Sequence, residues 1–265
     1  MSILIAKADG TSEAFERSKL ISSLERAGAK SDIAQNIAQE IEKRLESGTS
    51  THVIYSKAFA RLRDFKKAAA ARYSLKRAVL EFGPSGFPFE SYIGELFKTE
   101  GFETRIDQLV RGKCVEHEVD VVITKGEETI YAEAKFHNAA GFKTDLKVVL
   151  YVKARIDDIG QGRGLVVTNT KFTDKAIEYA KCANLELLSW DYPQGNTLHN
   201  RIEKAGLYPI TAITSLSTHE KTALLSDRIV LCESLSQNPN VLSRIGVSGD
   251  RATEVLEEVG ALCAR

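Results

Sequence analysis

The chain has 265 residues, 36 basic and 36 acidic side chains, and 43% hydrophobic residues, which is room for two or three domains with cores of their own. No apolar run approaches membrane-spanning length, and no charged, apolar, small-residue signal pattern opens the chain, so no membrane span and no secretory leader are expected. Cys114, Cys182, Cys232 and Cys263 form no CxxC pair and no zinc spacing, as expected in a reducing cytoplasm.

Residues 1–86 read as one unit. Residues 3–6 make a short apolar strand, Asp9-Gly10 a turn, and the chain returns toward Phe15, so a small hairpin is predicted. Helices are predicted over 20–27, along the Ile33, Ile37, Ile41, Leu45 stripe, from Ser50 or Thr51 to about Phe65, and over 68–82. Between Lys57 and Arg77, the basic residues Lys57, Arg61, Arg63, Lys66, Lys67, Arg72, Lys76 and Arg77 are opposed only by Asp64. Such a patch suits phosphates or an ordinary solvated helix surface.

Lys7, Asp9-Gly10, Glu13, Phe15, Lys19-Leu20, Thr51 and the run AARYSLKR at 70–77 resemble the ATP-cone. That module senses nucleotide in ribonucleotide reductases and their transcriptional regulator. The resemblance implies ATP or dATP as effector, bound through Lys7, Glu13, Lys19 and Thr51. The two lysines are point charges for phosphates. A helix starting at Thr51 offers backbone N–H groups to an anion. The family usually has an arginine after the first lysine, where this chain has Ala8. No Walker-type glycine loop occurs, so sensing is expected, not hydrolysis.

In the next segment Phe89, Ile93, Leu96 and Phe97 recur at helical spacing with Glu90 in the first turn, and Gly101-Phe102 stops the helix before an extended stretch at 103–109. A polar lead-in, Glu118-Val119-Asp120, precedes Val121-Val122-Ile123. Gly126-Glu127-Glu128 then reads as a turn, and residues 129–135 are rich in strand formers. The two strands form a hairpin that sets Asp120 beside Glu133. Glu133 and Lys135, two apart on a strand, share a face, and Ala134 packs the other way. Two neighbouring carboxylates repel, and a divalent cation resolves the repulsion. Hard oxygen ligands select magnesium or manganese. The Lys135 ammonium can orient a water or stabilise charge developing on phosphorus.

A helix with an early glutamate, a strand, an Asp strand, an ExK strand and a helix resembles the PD-(D/E)xK nuclease core, in its Mrr-type restriction endonuclease branch. The resemblance covers about residues 86–192. It implies magnesium- or manganese-dependent hydrolysis of DNA phosphodiesters. Asp120, Glu133 and Glu90 would hold the metal, and Glu90, Asp120, Glu133 and Lys135 would be catalytic, with Glu95 the second candidate on the helix. A buried strand at 164–170, a helix at 172–180 capped by Thr173 and a strand at 185–190 complete such a core. Between the halves, a helix at 147–159 puts Lys147, Tyr151 and Arg155 on one face, lining a DNA cleft or meeting solvent. His117 and His137 flank the motifs; surface or supporting roles are expected of them, with contact to a metal-bound water or a phosphate as the alternative.

Residues 193–265 carry predicted helices at 198–205, 219–225 and 252–262, and the turn at 245–252 loosely resembles a helix-hairpin-helix. The expected fold is a multidomain α+β and α/β chain. It has an ATP-cone-like hairpin and helical bundle at 1–86, a restriction-endonuclease-like α/β sheet at 87–192, and a small helical region at 193–265 for DNA binding or oligomerisation. The expected function is a cytoplasmic metal-dependent DNA endonuclease under adenine-nucleotide control, acting as a dimer or larger homo-oligomer. The alternatives are a catalytically silent, nucleotide-responsive DNA-binding regulator and a protein that uses its cone only to oligomerise. Intact Glu90, Asp120, Glu133 and Lys135 favour the nuclease.

Overall fold

The structure is a computed structural model that describes residues 3–7 and 10–263; Asp9 of the Asp9-Gly10 turn, and Ala8, lie outside the described residues. In chain order the elements are β1 (Leu4–Ala6), β2 (Ser12–Ala14), α1 (Arg17–Arg26), α2 (Ser31–Lys43), α3 (Thr51–Phe65), α4 (Lys67–Tyr73), α5 (Leu75–Leu80) and α6 (Phe87–Thr99). Then come β3 (Glu103–Arg111), β4 (Glu116–Lys125), β5 (Glu128–Lys135), β6 (Lys143–Thr144), α7 (Leu146–Ile159), β7 (Arg163–Thr168), β8 (Lys171–Phe172), α8 (Asp174–Cys182) and β9 (Glu186–Ser189). Five helices follow: α9 (Leu198–Ala205), α10 (Thr218–Ser226), α11 (Cys232–Gln237), α12 (Val241–Arg244) and α13 (Gly249–Cys263). The fold class is the mixed α/β arrangement expected, with N-terminal strands and helices, a central mixed sheet and C-terminal helices.

Packing divides the chain into two compact units. One comprises Met1–Ala78, Tyr208–Lys221 and Cys232–Arg265. In it β1 and β2 pair antiparallel, and the Ala6 N–H donates to Thr49 O at 3.0 Å, tying the hairpin to the start of α3. Ser50 caps α3 by accepting from Val53 N. Leu20, Leu24, Ile37, Ile41, Ile54 and Leu62 form the core, so the predicted stripe on α2 does turn inward. The single helix expected over 68–82 is broken at Ser74, whose hydroxyl donates to Ala71 O at 2.8 Å; a side chain that bonds its own backbone competes with helix continuation. The C-terminal helix α13 packs on α4, where Lys67 pairs with Glu254 and Arg72 donates to Ala261 O at 3.0 Å. Glu258, buried on α13, accepts bonds from the N–H and hydroxyl of both Thr214 and Ser215.

The other unit comprises Val79–Leu207 and Thr222–Leu231. Its sheet runs β3-β4-β5-β7-β9. The first three strands are antiparallel neighbours, and β7 and β9 continue in parallel from β5. The parallel part needs crossover helices, and α7 and α8 provide them. Asp145 caps α7 by accepting from Lys147 N and Val148 N, and Gly160 ends it in the left-handed region at φ +76°. Val149 and Val152 of α7 pack with Ala176 and Ala180 of α8 over Val166 and Leu187. Gly164 on β7 lets α7 approach closely, since a Cβ there would come within 2.7 Å of Ile156 Cγ1. Phe89, Tyr92, Ile93 and Leu96 of α6 are buried, and α6 packs on β3, β4 and β5. The two-residue strands β6 and β8, absent from the sequence reading, pair in parallel.

Candidate active site and nucleotide pocket

The register of β4 on β5 pairs Val121 with Ala132. One step further along that register, Asp120 falls opposite Glu133, so the two carboxylates share a face. The Asp120 carboxylate also accepts the Ala134 N–H at 2.7 Å. Burial, then the charge of Glu133, pushes Asp120 up to about 6, against the opposing pull of the Ala134 N–H and Arg155. Glu90, in the first turn of α6, is half-buried, and burial followed by the charges of Asp120, Asp107 and Glu133 pushes it up to about 7. The structure therefore gathers Glu90, Asp120 and Glu133 into one field of like charge. Lys135, two residues beyond Glu133 on the same face, is exposed, and among the described residues no ion pair engages it. Glu95, the second helix candidate, pairs instead with Lys98 at 2.7 Å on an exposed surface.

Two acidic-site neighbours had no clear sequence signal. Asp107 sits where β3 meets Asp120: the ladder runs Ile106 to Val121 and Gln108 to Val119, and Asp107 between them has φ +55°. Only the register reveals it. Arg155 is the larger correction. It was expected to share a face with Lys147 and Tyr151 that lines a DNA cleft or meets solvent; it does lie 4.8 Å from the Tyr151 ring, but its side chain is 6% exposed and its guanidinium donates to Glu133 Oε2 at 2.8 Å. Ile156 and Ile159, next to it in the helix, pack with Val122 and Tyr131, which holds this stretch of α7 against the sheet.

The flanking histidines have structural partners. His117 Nε2 lies 2.8 Å from Asp158 Oδ2, and Asp158 also accepts from Cys114 N and Val115 N, which fastens the β3–β4 turn to α7. His137 Nε2 lies 3.1 Å from Thr144 Oγ1, and its ring stacks on Phe142.

The donor set suits a hard divalent cation, because the charges of Asp120 and Glu133 raise Glu90, and that of Glu133 raises Asp120, so a bound positive charge would be favoured there. Among the described residues, no three such ligands close around one point as they stand. Arg155 holds Glu133, and Glu90 folds back so that its Oε1 lies 2.8 Å from where a Gly86 Cβ would be.

In the other unit, Glu13, Lys19 and Thr51 line a cavity of about 170 Å³ together with Phe15, Ile54, Tyr55 and Tyr73. Lys7 does not line it but pairs with Glu13 at 2.6 Å, and Lys19 pairs with Glu16 at 2.7 Å. Tyr55 stacks on Tyr73 with ring centroids 5.2 Å apart. These aromatics supply a flat apolar wall that the sequence reading did not name, although Tyr55 stands one helical turn after Thr51. The basic run is partly used internally: Arg61 pairs with Glu40 and Lys67 with Glu254.

The mixed sheet β3-β4-β5-β7-β9, with α6, α7 and α8 packed on it, is the core of a restriction-endonuclease-like domain. Residues 84–192 match the restriction endonuclease family, residues 3–79 the ATP cone domain, and residues 208–263 the AF1548-like C-terminal family. An uncharacterized protein of Archaeoglobus fulgidus is 36% identical over 170 residues, covering 63% of this chain and 97% of that protein. A crystal structure titled as a protein of unknown function, AF1548, is 33% identical with a TM-score of 0.58, covering 68% of this chain and 98% of that one. The chain belongs to the family of these AF1548-like proteins, and it joins an ATP cone domain to a restriction-endonuclease-like domain. Among the described residues no helix is long and apolar enough to cross a membrane.

Proposed function

We propose that this chain is a divalent-metal-dependent DNA endonuclease whose activity is set by adenine nucleotide held in the N-terminal pocket. The observation that carries this reading is the Asp120 carboxylate at the end of the β4–β5 ladder, bonded to Ala134 N beside Glu133, with Glu90 in the same field and Lys135 two residues beyond Glu133. Asp120, Glu133 and Glu90 would hold magnesium or manganese. When bound, the ion supplies Lewis-acid polarisation of the phosphoryl group and a more acidic water. The chain's own part is to fix the carboxylates on rigid strands and to present the Lys135 ammonium to developing negative charge. Lys7, Glu13, Lys19 and Thr51 would meet the nucleotide, its phosphates displacing the carboxylates of Glu13 and Glu16 from the two lysines.

We further propose divisions near residues 86 and 192, a cytoplasmic setting, and assembly as a dimer or larger. A second reading, a nuclease-like fold that binds DNA without cutting it, is favoured by one observation: Arg155 already neutralises Glu133. Incubation of the full chain with supercoiled plasmid, magnesium or manganese, and ATP or dATP separates the two. Conversion to nicked or linear product supports the nuclease; a gel shift without conversion supports the silent binder.

A further inference from the structure

Arg155 is buried with one donor left without a hydrogen-bond partner. Its guanidinium meets Glu133 Oε2 at 2.8 Å, the Tyr151 ring lies 4.8 Å from it, and its Nε is buried with no hydrogen-bond partner. An unsatisfied donor on a buried permanent charge is destabilising unless the charge is answered. Here the answering charge is Glu133, the same carboxylate that faces Asp120. Arg155 does not titrate in the physiological range, so its charge stays in place. At 6% exposure its side chain offers almost no surface to solvent.

We propose that Arg155 is a positioning residue of the carboxylate site, which occupies Oε2 of Glu133, leaves Oε1 alone to meet a divalent cation, and weakens cation binding by its own fixed charge. The proposal rests on the nuclease reading of the same site. Two cations that share one carboxylate a few ångströms apart repel strongly in a partly buried setting. Three unopposed carboxylates would hold a metal tightly and indiscriminately. A guanidinium among them keeps the site reversible and fixes the orientation of Glu133. A simple staple between α7 and the sheet makes a different claim: its loss lowers stability and leaves cation affinity unchanged or reduced.

The test is a Mn2+ titration of the full chain by calorimetry at pH 8, without nucleic acid, on wild type, Arg155→Gln, Arg155→Met and Arg155→Lys. The two neutral variants are expected to bind Mn2+ about ten-fold more tightly or better, and the charge-preserving Lys variant within about three-fold of wild type. Melting curves without metal identify any variant that does not fold, and the second neutral substitution then carries the measurement. Neutral variants that fold and bind Mn2+ no more tightly than wild type overturn the proposal. Wild type that binds no Mn2+ at millimolar concentration removes the metal reading and this proposal with it. Wild-type binding with unchanged neutral variants removes this proposal alone.

Discussion

Asp120 accepts the backbone N–H of Ala134 at 2.7 Å. This bond joins the two halves of the D…ExK pattern directly, because Ala134 is the residue between Glu133 and Lys135. The Asp120 side chain takes a bond at the end of the β4–β5 ladder. Its position is therefore fixed by backbone geometry and not by a free rotamer. A site pinned in this way costs little reorganisation when charge develops beside it.

Helix α7 packs closely on the sheet that carries this bond. Gly164→Ala places a Cβ within 2.7 Å of Ile156 Cγ1, one residue from Arg155. The substitution is expected to destabilise the protein by about 1–3 kcal/mol. Urea unfolding measures it, and a midpoint equal to wild type would show that α7 has more freedom than the packing indicates.

A second prediction concerns acid stability. The Arg251 guanidinium holds Glu220 down at about 2, from the ordinary 4.5. A depressed folded-state pKa stabilises above the unfolded value and is lost as pH falls toward the folded one. Glu220→Gln is thus expected to be less stable than wild type at pH 7, by about 1–3 kcal/mol from the lost charged bonds to Arg251 and Ser217 N. The difference should narrow as pH falls below about 4.5. A gap between the two melting curves that stays constant from pH 7 to 3.5 contradicts the assignment.

The antiparallel hairpin of β4 and β5 was legible because a strand's period of two and a short turn fix register from local pattern alone. The inward turn of the α2 stripe was legible for the same kind of reason. Arg155 was not. A helix face is set by what it packs against, and the contacts of Ile156 and Ile159 with Val122 and Tyr131 are distant in sequence. The same holds for α13 on α4, where Lys67 meets Glu254 across most of the chain. The break at Ser74 turned on one hydroxyl in an otherwise helical run, and β6 and β8 are too short to show a period.

The proposed nucleotide site in the N-terminal cavity yields a third prediction. ATP or dATP should raise the melting temperature, with stabilisation of about 2.7 kcal/mol at a hundred-fold excess over Kd. The Lys7→Ala, Lys19→Ala double variant should lose that shift while keeping its melting temperature without ligand, since both lysines pair on exposed surface. An equal shift in wild type and double variant would move the nucleotide elsewhere.

Assembly follows from chemistry. A single carboxylate site of the proposed nuclease would cut one strand, so a double-strand cut would need two chains or sequential nicking. At least a dimer is expected, with a mass distribution altered by ATP or dATP through coupled binding equilibria. Light scattering across protein concentrations decides this. A monomer under all conditions that linearises plasmid with no nicked intermediate would contradict it.

The most direct measurement is plasmid cleavage by wild type and Asp120→Ala side by side, in magnesium or manganese, with and without ATP and dATP. Circular dichroism confirms that both are folded. Wild type is expected to cut, at a rate that nucleotide changes, and Asp120→Ala to be slower by at least about a hundred-fold, the scale of losing one electrostatic group from a preorganised site. Cleavage by Asp120→Ala at the wild-type rate would contradict the account.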